Sequence, residues 1–102
     1  MHKPDPPAFD AGTVLVTSQA FGLLHRADIA PADLLAEHQQ LIPAKAAPTD
    51  LAVRLSAIHL RQRVTTRFPV LTLRPQAQVT EVCVVTEPGH HLTLILLASE
   101  IR

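Results

Sequence analysis

The chain has 102 residues, nine Lys or Arg against nine Asp or Glu, 47% apolar residues, and neither Trp nor Tyr. That length fits one domain with its own core, and the apolar share excludes a disordered chain. The missing Trp and Tyr deny it a base-stacking platform for single-stranded nucleic acid, and zero net charge excludes an acidic mimic of DNA.

Residues 1–11 read as a flexible proline-rich arm, because "MHKPDPPA" holds three prolines and no hydrophobic signal region. Residues 12–102 read as a single α+β domain. No apolar run reaches the length needed to cross a bilayer, and Cys83, the single cysteine, has no partner for an internal disulfide. These features place the chain in the cytoplasm, with no membrane contact expected.

In chain order, "GTVLVT" (Gly12 to Thr17) is a β-branched run and predicts a strand. Ser18 is placed to cap a short helix through about Arg26. "DIAPADLLAEH" starts a second helix, with Pro31 in the first turn and Asp33 and Glu37 near its positive end. Leu41 to Asp50 carries two prolines and reads as a connection. Thr49 or Asp50 then caps a third helix whose apolar stripes, Leu51, Leu55, Ile58 and Val53, Ala57, Leu60, put Arg54 and Arg61 on the far side. "RVTTRF" weakens the helical pattern and Pro69 forbids its continuation. Strands follow at Val70 to Arg74, Val79 to Glu87 and His91 to Ala98. The order is an N-terminal strand, two to three helices, then a three-stranded antiparallel meander.

If Pro88-Gly89 closes the last hairpin, Thr86 faces His91, Val84 faces Thr93 and Val82 faces Ile95. Val85 and Cys83 then share the other face with Leu92, Leu94 and Leu96. Both faces are apolar and need cover, which the helices can give to one of them. The second is expected to meet another protein or a second copy of the chain.

No acid lies between Leu51 and Thr80, whereas Arg54, Arg61, Arg63, Arg67 and Arg74 do. That belt hints at an anionic partner, although a solvated arginine face is the more economical reading. His90 and His91 are adjacent, so on a regular strand they point to opposite faces and cannot chelate one metal. No metal and no cofactor are expected. A catalytic reading gathers Thr86, His91 and Thr93 with Arg74, the equipment of a metal-free ribonuclease. Such groups are common at a polar sheet end without catalysis, so no catalytic residue is assigned. Cys83, set among valines, reads as a buried thiol. The binding residues expected are Arg54, Arg61, Arg67, Arg74, His90, His91, Thr93 and Ile95.

Three stretches carry a family likeness. "LVTSQAFGLL" followed by "IAPADLLAEHQ", then "VLTLRP" before "VCVVTEPGHHLTLILLASEI", resembles a small family of plasmid-related proteins from bacterial mobile elements. Pro31, Asp33, Leu34, Leu35 and His38 match its helix motif, and Thr86, Glu87, Thr93, Ile95, Leu96, Leu97 and Glu100 match its terminal hairpin. The family's "GDWG" loop is absent. Arg74, His90-His91, Leu94 and Ile101 replace its Tyr, Arg-Ser, second Thr and closing Tyr. The resemblance implies a mobile-element origin and a retained fold more than a retained chemistry.

Three functions follow as expectations. The first is an accessory protein that binds a host protein or protein–nucleic acid complex, such as an inhibitor of CRISPR or restriction. The others are a ribonuclease-type toxin and a homodimeric structural or regulatory protein.

Overall fold

The computed structural model describes residues 6–48 and 50–101. Strand β1 (Thr13–Val16) leads into helices α1 (Ser18–Arg26), α2 (Pro31–His38) and α3 (Leu51–His59). Strands β2 (Val64–Thr72), β3 (Gln78–Thr86) and β4 (Leu92–Leu97) follow, and a short 3-10 turn (Ala98–Glu100) ends the described chain. The fold is α+β with a four-stranded mixed sheet in the order β1-β4-β3-β2. β2, β3 and β4 pair antiparallel in sequence order, but they do not form a separate meander. β1 joins the same sheet parallel to β4, with Val14 beside Thr93 and Val16 beside Ile95.

One helix cap differs from the sequence reading, and one is an expected residue. Thr17, one residue before Ser18, accepts the Ala20 N–H and starts α1. Asp50 accepts the N–H groups of Ala52 and Val53 and starts α3, while Thr49 lies outside the described residues. α1 and α3 end alike. Asp28 (φ 57°) and Arg61 (φ 53°) take the left-handed position after the helix, and the next N–H groups reach back to Leu24 O and Ala57 O. This closing motif favours glycine, so both side chains are held there against local preference.

β2 begins six residues before the predicted start at Val70, and it includes Pro69. Proline ends helices, but it is tolerated on an edge strand when its missing N–H faces outward. Arg67 O accepts from Ala47 N, outside the sheet, so the odd-numbered residues of β2 turn their backbone polar groups away from β3. Pro69 is one of them. The same Ala47 contact covers part of that edge.

The hairpin register also moves. Thr86 pairs with Thr93 and Val84 with Ile95, two residues from the predicted pairing. His90 N bonds Glu87 O around Pro88 and Gly89 (φ 88°), which is a type II turn. Proline cannot adopt the positive φ that a two-residue hairpin requires, so His90 and His91 lengthen the loop instead. A shift of two keeps every side chain on its predicted face.

All three helices lie on one face. Ala20, Leu23, Leu24 and Leu34 pack on Phe68, Val70, Val82, Val84 and Ile95. Residues 8–11, expected in the flexible arm, are docked there as well. Phe9 and Ala11 are buried, Ala8 N bonds Gln39 O at 2.7 Å, and Gln39 returns a bond to Phe9 O. Residues 1–5 of that arm lie outside the described residues.

Candidate functional site

Three places in the fold concentrate polar or unpartnered groups. The deepest is a chain of hydrogen bonds under the helices. His38, fully buried at the end of α2, sits between Thr66 of β2 (Nδ1 to Oγ1, 2.7 Å) and Thr86 of β3 (Nε2 to Oγ1, 2.7 Å). Thr86 meets Thr93 of β4 at 2.7 Å, and Thr93 donates to Ala11 O at 2.7 Å. At the other end Arg54 Nη1 donates to Thr66 Oγ1 at 3.0 Å.

Counting protons fixes every direction. The Thr93 hydroxyl is spent on a carbonyl, so it can only accept from Thr86. The Thr86 proton is therefore used, and Thr86 must accept from His38 Nε2–H. Nδ1 is then the bare nitrogen and accepts from Thr66, whose oxygen in turn accepts from Arg54. The chain runs one way, from the guanidinium to the Ala11 carbonyl. Protonating His38 would turn Nδ1 into a donor and leave the Thr66 hydroxyl proton without its acceptor. Burial, then the Arg54 charge and His90, accordingly push the His38 pKa down to about 3.

Arg54 is buried with no carboxylate beside it among the described residues. Its counter-charge is the end of α2: Nη2 donates to His38 O and to Gln40 O (2.8 Å), and Nε donates to Leu41 O (3.1 Å);. His38 O is a carbonyl that the C-terminus of α2 leaves unpaired, and Gln40 O and Leu41 O belong to the turn just past it. α3 is thus turned relative to the sequence reading, although Ala57 and Ile58 keep their expected inward places. Arg54 and Ala57 face inward, and Leu51, Val53, Leu55 and Leu60 are exposed. A guanidinium with four acceptors waiting outranks the leucines for the inward position.

The second place is a cavity of about 380 Å³ where the β3–β4 loop meets the end of α3, lined in part by Asp10, Arg61, Gly89, His90 and His91. Gly89 N bonds Arg61 O (2.8 Å), and His90 Nε2–H donates to Gln62 O (2.8 Å). Phe9 lies between the His38 and His90 rings, 5.1 and 5.3 Å from their centroids, and joins the cavity wall to the buried chain. Gly12 (φ 66°) is forced, since a β-carbon there would stand 2.2 Å from the His91 backbone.

The third is the sheet face turned away from the helices. Leu15, Leu94, Val85 and Thr65 stand side by side across all four strands. Leu96 and Cys83 form the next row, ending at Arg67. Leu15 is 53% exposed, and Leu92, Leu94 and Leu96 are half-buried. Cys83 is sunk among these side chains, and burial, helped by Glu81, raises its thiol pKa. Arg63–Glu87 (3.0 Å) and Arg67–Glu81 (3.7 Å) bridge β2 and its neighbour along this face.

The expected binding residues therefore scatter. Thr93 and Ile95 are fully buried on the helix-covered face, so neither offers a contact surface. Arg54 is internal, Arg67 is paired with Glu81, and Arg74 is exposed in the β2–β3 hairpin. Arg74 sits beyond the far end of nine-residue β2, roughly 30 Å of strand from the histidines, so the ribonuclease set is not assembled. His90 is buried and His91 exposed, and Arg61 alone of the arginine belt lines their cavity. Sequence reading missed His38 and Thr66 as partners of Thr86 and Thr93. The visible signal was a polar residue at an inward position of each of these four elements. Among the described residues no group of His, Cys, Asp or Glu is arranged to hold a metal, and no helix is long and apolar enough to cross a membrane. Comparison with known proteins matches no family model, no curated protein and no solved structure.

Proposed function

We propose that the chain is a protein-binding module that works through the sheet face its helices leave uncovered. One observation carries this reading: all three helices pack on one face, while on the other the row Leu15–Leu94–Val85 meets no helix, and exposed Leu15 and half-buried Leu94 lie beside buried Val85. Antiparallel sheets can present one face to water, but that face is normally polar. A continuous apolar row at the centre with ion pairs at its side has the anatomy of an interface.

The finer reading rests on the resemblance to plasmid-related proteins. In it the partner is a host protein or protein–nucleic acid complex in the cytoplasm, and the module acts as an inhibitor of a defence system such as CRISPR or restriction. The test is paired capture from host lysate. Wild type and Arg74→Gln retain the same stoichiometric protein, and Leu94→Glu loses it while keeping its melting temperature. Equal capture by Leu94→Glu contradicts the reading, as does a purified chain that already buries this face in a stable dimer.

A further inference from the structure

The cavity between the β3–β4 loop and the end of α3 has no part in the sheet-face reading. We infer that it binds a phosphate group, carried either as free phosphate or as a monoester.

Its chemistry is the first ground. Arg61, His90 and His91 come from two separate loops to one cavity of about 380 Å³. Arg61 is exposed, and its guanidinium has no hydrogen bond or ion pair among the described residues, whereas Arg54, Arg63 and Arg67 are all engaged. His90 spends its Nε2–H on Gln62 O, which fixes the ring and the loop but leaves Nδ1 a lone-pair acceptor, so the donors offered to an anion are those of Arg61 and His91. The His91 ring lies over Gly89, with Cδ2 3.4 Å from where a β-carbon would stand. A guanidinium beside an imidazole is a donor set that recognises a tetrahedral oxyanion.

Backbone conformation is the second ground. Arg61 (φ 53°) and His90 (φ 59°) occupy left-handed positions that glycine fills at least cost, and both border this one cavity. Outliers of that kind persist where the surrounding structure holds them and cluster at working sites. Here Gly89 N on Arg61 O and His90 on Gln62 O tie the two loops together. The negative end of α3 opposes an anion, and bonds from Gln62 N to Ala57 O and from Arg61 N to Ile58 O satisfy two of its carbonyls. Asp10 is the one carboxylate among the lining residues, and it opposes an anion.

The test is calorimetric titration of the full chain with inorganic phosphate and, separately, adenosine 5′-monophosphate, alongside thermal melts. Arg61→Gly relaxes the left-handed strain, so it melts higher than wild type, yet binds phosphate about tenfold more weakly or not at all. Asp10→Asn tightens binding, His91→Gln weakens it, and Arg74→Gln at the distant hairpin changes nothing. Heat from inorganic phosphate identifies the free anion as sufficient, and heat from the nucleotide alone identifies a monoester. Silence from both ligands, or undiminished binding in Arg61→Gly, overturns the inference.

Discussion

Lowering the pH from 6.5 towards about 3 costs the native state on the order of 4 kcal/mol through His38, and His38→Gln removes that share of the acid dependence. The unfolded chain takes up a proton on this imidazole near pH 6.5, whereas the folded chain refuses it until about 3. The folded pKa is depressed, so the contribution is complete above 6.5. It shrinks as the pH falls, by up to tenfold in the folding constant per pH unit, and levels off below about 3. Urea unfolding of wild type and variant across this range reads the difference directly, since the carboxylates titrate in both. His38→Gln also starts lower at neutral pH, because an amide cannot span Thr66 and Thr86 as the ring does. A wild type and variant whose stabilities stay parallel from pH 7 to 3 would show that His38 is not held neutral.

Arg54→Met lowers stability by roughly 2–4 kcal/mol at neutral pH, although methionine is the more apolar side chain in a buried position. The carbonyls of His38, Gln40 and Leu41 lose their donor, and the Thr66 oxygen loses the bond that orients its proton towards His38. Arg54→Lys recovers only part, since one ammonium cannot reach acceptors spread over both edges of a guanidinium. In a double-mutant cycle by chemical denaturation, Arg54→Met and Thr66→Val are strongly non-additive, because both break the same chain. Additive losses would mean that Arg54 and the His38 chain stabilise the fold separately.

These two residues also mark where the sequence was legible and where it was not. The hydrophobic periods locate three helices and the strands β1, β3 and β4, and period-two alternation puts Val82, Val84 and Thr86 on the face opposite Cys83 and Val85. A two-residue register error left that division intact, because side chains alternate with the same period. Placement of α3 failed for a different reason. Its apolar stripes favoured burial, but the rotation was decided by unpaired carbonyls at the end of α2, which lie more than ten residues away and leave no periodic trace. A start of β2 at Val70 follows from Pro69 only if the proline is treated as a helix breaker. Its tolerance on an edge strand depends on which way the backbone N–H points, and only the assembled sheet sets that.

The candidate sites divided in the same way. The hairpin sequence of Ile95 and Thr93 defines two faces but not which of them the helices cover. Once the helices are placed, Leu94 and Leu96 are the hairpin residues on the opposite face, which no helix covers. The matched positions His38, Thr86 and Thr93, read from the family resemblance as a pattern, meet in one buried chain. Their role here is to hold α2, β3, β4 and the Ala11 segment together.

Leucine-methyl NMR of the chain titrated with its captured partner tests the central claim most directly. The account predicts that Leu15, Leu92, Leu94 and Leu96 shift or broaden while the core methyls of Leu23, Leu24 and Leu34 hold still. Perturbation confined to the exposed leucines of α3, Leu51 and Leu55, with the sheet-face methyls unmoved, would contradict it.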